Sequence, residues 1–124
     1  GDIAGALSVV GENPKNDIYL GTGGGPEGVI TAAALTCYGG QIQGRLVLDS
    51  DEISRAKKLG IQDFKKKYNT IDMAKGDIIF CASGVTNGDL VKGIIVTKDK
   101  FEVNTLALHK SQNIKKIIKN TYSR

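Results

Sequence analysis

Asp17-Ile18-Tyr19-Leu20-Gly21-Thr22-Gly23-Gly24-Gly25-Pro26-Glu27-Gly28-Val29-Ile30 is the stretch on which the reading of this chain turns. Its opening is a short apolar run with β-favouring residues, which predicts a buried strand. Consecutive glycines then allow a sharp bend and bring bare N–H groups close to a ligand. Pro26 suits the first helical position, where a missing N–H costs no hydrogen bond. Residues 29–37 are mostly Ala, Leu and Ile, predicting a helix packed on a sheet and stopped by Gly39-Gly40.

A glycine loop ahead of a helix N-terminus attracts anions. Gly23 to Gly28 satisfies G-x-G-x-x-G, and Asp49 follows about 20 residues on, so a dinucleotide-binding module is one reading. Glu27 opposes it. Two like charges ~4 Å apart repel by about 4 kcal/mol at an effective dielectric of 20. The helix terminus returns only about 0.3–2 kcal/mol. Phosphate and Glu27 share this place only with a cation between them, which reads the loop as a metal-plus-phosphate site. The competing reading leaves Glu27 facing solvent as a complement to the helix terminus.

The length of 124 residues predicts one α/β domain over 1–124, and 40% hydrophobic residues suffice for a core. A net charge of +4 is moderate. No apolar run is long enough to span a bilayer, so a soluble cytoplasmic protein is expected, with no membrane partner. Cys37 and Cys81 are too far apart in sequence for a metal motif and are expected to be core thiols. The chain opens at Gly1-Asp2 directly against an apolar segment, which predicts a piece of a longer protein. There is no internal repeat, low-complexity stretch, Walker loop or Ser-His-Asp arrangement.

Along the chain, Asp2 is expected to cap a short helix over 3–10. Residues 41–48 read as a strand, with Arg45 either in a surface ion pair or clamping a phosphate or carboxylate. Asp49 or Ser50 caps a helix ended by Gly60, and 70–74 gives one further helical turn. Asp77-Ile78-Ile79-Phe80-Cys81-Ala82 is the clearest buried strand. Thr86 and Asp89 have capping-box spacing ahead of a short helix, repeating the order strand, glycine-bearing loop, helix. Two such units place their loops at one sheet edge, where open α/β sheets bind ligands. Lys98-Asp99-Lys100 joins two strands as a hairpin, and His109 reads as structural. Ser111 is expected to cap a last helix with Ile114, Ile117, Ile118 and Tyr122 as its apolar stripe. Its lysines, with Lys65, Lys66 and Lys67, support a third reading as a basic nucleic-acid binder.

Gly23-Gly24-Gly25-Pro26-Glu27-Gly28-Val29-Ile30, Gln43-Gly44-Arg45-Leu46 and Gly84-Val85-Thr86-Asn87-Gly88-Asp89-Leu90 together resemble the second half of class II fructose-1,6-bisphosphatases. Gly1-Asp2-Ile3-Ala4 is similar to the tail of that family's Asp-Gly-Asp motif. The resemblance implies a cytoplasmic hydrolase removing the 1-phosphate of fructose 1,6-bisphosphate with Mn2+ or Mg2+, and no nucleic-acid partner. It implies a three-layer α/β/α arrangement with a mixed sheet, as in the second domain of the sugar-phosphatase fold. It makes Glu27 a metal ligand and Gly1, Asp2 and Gly24 substrate contacts. It also implies an N-terminal domain of the same protein as partner, and a homo-oligomer. Gly25 stands where the family frequently has alanine or threonine, Ser83 where threonine is usual and Asn87 where aspartate is common. The remaining metal carboxylates are expected in a first half that this chain lacks, so the chain alone is expected to be inactive.

Overall fold

A computed structural model describes residues 3–124. Asp2 and its expected cap lie outside the described residues. A short helix α1, Ile3–Leu7, packs on the long helix α2, Gly25–Cys37. Pro26 occupies the first turn of α2, as the sequence predicts. The helix ends in a Schellman motif: Gly40 N–H donates to Leu35 O at 2.9 Å and Gly39 N–H to Thr36 O at 3.2 Å. Gly39 takes φ +71°, which an L side chain resists. At Gly40 a Cβ would come within 2.6 Å of Val10 Cγ1, so the segment after α1 packs against the turn that ends α2 where this position is bare.

A two-stranded antiparallel ribbon follows, built from β1, Gln43–Arg45, and β2, Lys67–Asn69. Between them lies α3, Ser50–Lys58, started by a complete capping box of Asp49 and Glu52. One turn of helix, α4 at Thr70–Met73, links β2 to the main sheet and packs on α2. That sheet comprises β3, Ile79–Ser83; β4, Ile95–Val96; β5, Lys100–His109; and β6, Ile114–Ser123. β5 is central: β3 and β4 share one of its edges and β6 takes the other. Every pairing among the described residues is antiparallel, so the chain is α/β with antiparallel sheets and not the mixed sheet expected.

The core lies where α2 covers the sheet. Leu7, Ala34, Leu35, Cys37, Phe80, Leu106 and Leu108 form one cluster, with Leu108 only 1% exposed. Alternation along β5 sends Asn104, Leu106 and Leu108 inward. The Cys37 thiol, at the end of α2, points to Ile78 O at the start of β3. Helix and strand therefore run in opposite senses. The N-terminus of α2 and the loop 84–93 after β3 lie toward the same end of the layer, and Lys15 bridges to Asp89 there at 3.7 Å.

Further expectations are corrected. The segment 17–20 forms no strand: Asp17 is a bend, no strand pairs with the segment among the described residues, and Ile18 and Leu20 are 70% and 82% exposed. No helix forms after Thr86; Gly84 and Gly93 instead let the loop close on its own backbone, where a Cβ on Gly93 would meet Asn87 N at 2.7 Å. The last segment is strand β6, not a helix, because Asn113 turns the chain back at φ +50° and a complete ladder to β5 becomes possible. Cys37 is buried as expected, but the strand expected to be buried at 77–82 forms as β3 with only Phe80 buried, leaving Ile79 and Cys81 exposed on its uncovered face.

Candidate active site

The N-terminus of α2 gathers the predicted loop and acid. Gly24 is the N-cap, extended at φ −68° and ψ 152°, with no side chain to cap the helix. The N–H groups of Thr22, Gly23 and Gly24 make no hydrogen bond among the described residues. Glu27 sits in the first turn, and its carboxylate folds back over Gly24. A Cβ at position 24 would lie 3.0 Å from Glu27 Cδ and collide with Oε2. A bare residue at 24 is thus required for Glu27 to hold this pose. The carboxylate is exposed and has no hydrogen bond or ion pair among the described residues. Free amides and a free carboxylate at one helix end suit an anion and a cation side by side.

As a metal site this is incomplete. Among the described residues no three His, Cys, Asp or Glu side chains come together to hold an ion. Asp89, in the neighbouring loop, is engaged with Lys15. Glu27 fits as one hard oxygen ligand of a divalent ion but not as a coordination shell. Gly1 and Asp2, expected as substrate contacts, lie outside the described residues.

Residues 1–122 match the family model described as bacterial fructose-1,6-bisphosphatase, glpX-encoded. The chain belongs to that family. A relative from Trichodesmium erythraeum (strain IMS101), named D-fructose 1,6-bisphosphatase class 2/sedoheptulose 1,7-bisphosphatase, is 35% identical over 108 residues. Relatives from Synechococcus sp. (strain JA-3-3Ab) and Acaryochloris marina (strain MBIC 11017) are each 36% identical over 108 residues. Each of these alignments covers 76% of this chain and 31% of the relative. The chain therefore spans about a third of the length of the curated relatives it matches. The match fits the phosphatase reading and not the dinucleotide or nucleic-acid readings.

In this fructose-bisphosphatase family member the other singled-out residues are not at the α2 N-terminus. His109, Asp77 and Ser111 meet where β3 begins and β5 ends. Sequence spacing hid this cluster because Asp77 is 32 residues from His109. It is not a nucleophilic relay. His109 Nε2 contacts both Asp77 Oδ2, at 2.9 Å, and Ser111 Oγ, at 3.2 Å, and Ser111 Oγ donates directly to Asp77 at 2.7 Å. A relay needs the acid and the nucleophile on opposite ring nitrogens. Here all three tie the strand start to the β5–β6 turn. Hydrogen bonds from His109 and Ser111 hold the Asp77 carboxyl well below the usual carboxylate range. Burial pushes the Cys37 thiol up, so it is an inert core group.

The basic residues are dispersed. Lys119 pairs with Glu102 at 2.7 Å, Lys115 lies over the Tyr38 ring, and Lys66 over Tyr68. Arg45 stands on β1 with no acid partner among the described residues. No helix among the described residues is long and apolar enough to cross a membrane.

Proposed function

We propose that this chain is the C-terminal α/β part of a class II fructose-1,6-bisphosphatase that converts D-fructose 1,6-bisphosphate and water to D-fructose 6-phosphate and phosphate. The observation that carries the reading is the unpaired Glu27 carboxylate held over bare Gly24 at the head of α2. Membership of the family supports it. Glu27 contributes one ligand to a Mn2+ or Mg2+ site, and carboxylates from an N-terminal domain complete it. The bound metal would supply an activated water and neutralise charge on the leaving phosphate. The amides of Thr22, Gly23 and Gly24 hold phosphate oxygens, which favours the charge that builds up there during hydrolysis. Gly1, Asp2 and Gly24 contact the sugar phosphate.

In the whole protein we place this chain in the three-layer sugar-phosphatase architecture. It works there as part of a cytoplasmic, gluconeogenic homo-oligomer. The segment 17–20, with Ile18 and Leu20 exposed, gives the N-terminal domain apolar surface to cover. Since the relatives are also named sedoheptulose 1,7-bisphosphatases, the seven-carbon bisphosphate is the second substrate to assay.

The test is phosphate release by the full-length protein with manganese, beside its Glu27→Gln variant. Losing one carboxylate ligand should lower kcat by at least about 100-fold, equivalent to about 2.7 kcal/mol in the barrier, and should weaken manganese binding measured without substrate. Unaltered turnover and metal affinity would remove Glu27 from the mechanism.

A further inference from the structure

The ribbon formed by β1 and β2 carries an unneutralised pair of cations. Its register sets Gln43 opposite Asn69, Gly44 opposite Tyr68 and Arg45 opposite Lys67. Opposed residues of an antiparallel pair share a face, with Cβ atoms about 4.5–5.5 Å apart. Gln43 and Asn69 use that proximity well: Gln43 Nε2 donates to Asn69 Oδ1 at 3.2 Å. Arg45 and Lys67 cannot. They are exposed like charges directly across the ladder, an arrangement that destabilises a sheet.

The acids nearby are committed elsewhere. Asp72 accepts from Asn69 N–H at 2.8 Å and attracts Lys66 at 3.9 Å. Asp63 accepts from Lys65 N–H, and Asp49 and Glu52 close the capping box of α3. Neither Arg45 nor Lys67 has a side-chain hydrogen bond, ion pair or ring contact among the described residues. An anion seated between them would replace repulsion with two attractions. A phosphate monoester fits: the guanidinium fork takes two oxygens and the ammonium a third.

The same face continues into a cavity of about 560 Å³, which Gln43 and Asn69 border together with Thr36, Gly40, Gln41 and Thr70. That volume suits a small metabolite. The cavity carries no charged side chain, and the C-terminal turn of α2 forms part of its wall. The negative end of a helix dipole disfavours phosphate and favours hydroxyl donors. The phosphate therefore belongs at the cation pair and an uncharged, hydroxyl-rich body in the cavity. This place lies at the opposite end of α2 from Glu27. Thirteen helical residues separate the two ends by about 20 Å.

We propose that Arg45 and Lys67, with the adjoining cavity, form a second binding site for a phosphorylated sugar or polyol, separate from the glycine loop. Its occupant is an effector rather than the molecule acted on at Glu27. The inference does not depend on which reaction the glycine loop serves.

Titrations on the full-length protein test it, read residue by residue from amide chemical shifts and globally by calorimetry. The probes are ribose 5-phosphate, ribose, inorganic phosphate and a single-stranded RNA oligonucleotide. Ribose 5-phosphate should perturb 43–45 and 67–69, bind at least tenfold tighter than inorganic phosphate, and leave ribose without measurable effect. The Arg45→Gln/Lys67→Gln double variant should bind it at least tenfold more weakly while keeping the wild-type circular dichroism spectrum. Lys67→Glu places a carboxylate opposite Arg45, and should abolish the ribose 5-phosphate response and raise the melting temperature in its absence. Undiminished affinity in either variant, or shifts confined to 22–28, would overturn the proposal. So would RNA binding that is tighter than ribose 5-phosphate and falls steeply with salt, which would assign the face to a polynucleotide instead.

Discussion

Asp77 shows how a few polar atoms can fix a junction of strands. Its carboxylate accepts from His109, from the Ser111 hydroxyl and from the Ser111 amide, which are the causes, in that order, of its depressed pKa. A carboxyl that is more acidic in the folded chain than in the unfolded one adds stability above its ordinary pKa of about 4. That contribution is lost as pH falls below this value. The melting temperature of the parent should therefore drop more between pH 5 and pH 3 than that of Asp77→Asn, measured by calorimetry at constant ionic strength. Equal drops would show that the junction draws nothing from the charge. Asn104 is the opposite case: it is buried on β5, and its Nδ2 has no partner among the described residues. Residue identities alone announced neither feature, since both depend on what the β5 register brings alongside.

Among the elements, β6 is the most instructive. Ile114, Ile117, Ile118 and Tyr122 fit one face of a helix, and Ser111 could cap it. The same residues are also good strand formers, and short apolar patterns do not separate the two periods. Asn113 decides the outcome, because its left-handed backbone reverses the chain and lets ten residues of β6 pair with β5. Asn113→Val should cost about 1–2 kcal/mol in urea unfolding, and Asn113→Gly close to nothing, if the turn conformation is what matters. Where the local chemistry was self-contained, the sequence was readable. The capping box of α3, the proline start and glycine stop of α2 and the hairpin at Lys98-Asp99-Lys100 all appear where their residues place them. The expected strand at 17–20 does not form, since pairing requires a second strand that local pattern cannot supply. The glycine loop and Glu27 were legible for the same reason as the caps: helix-end chemistry resides in consecutive residues.

At the scale of the molecule, the helices cover one face of the main sheet and leave much of the other open. Ile79 is 70% exposed, Val96 and Tyr122 are also uncovered, and Val85 is exposed in the loop that follows β3. Ile18 and Leu20 add to these exposed apolar side chains, which a second protein surface would cover. The isolated 124-residue chain should therefore enhance the fluorescence of a hydrophobic dye strongly, and the full-length protein should do so weakly. Equal enhancement would mean that this surface stays uncovered in the whole protein. The outer edge of β6 adds a related hazard, because no strand pairs with it among the described residues. Lys115, Lys116 and Lys119 are spaced along that edge. Lys119 is neutralised by Glu102 and Lys115 turns to Tyr38, so Lys116 is left as the charge that a second copy stacked there would have to bury, and it guards the edge against fibril growth that the fold itself would otherwise invite.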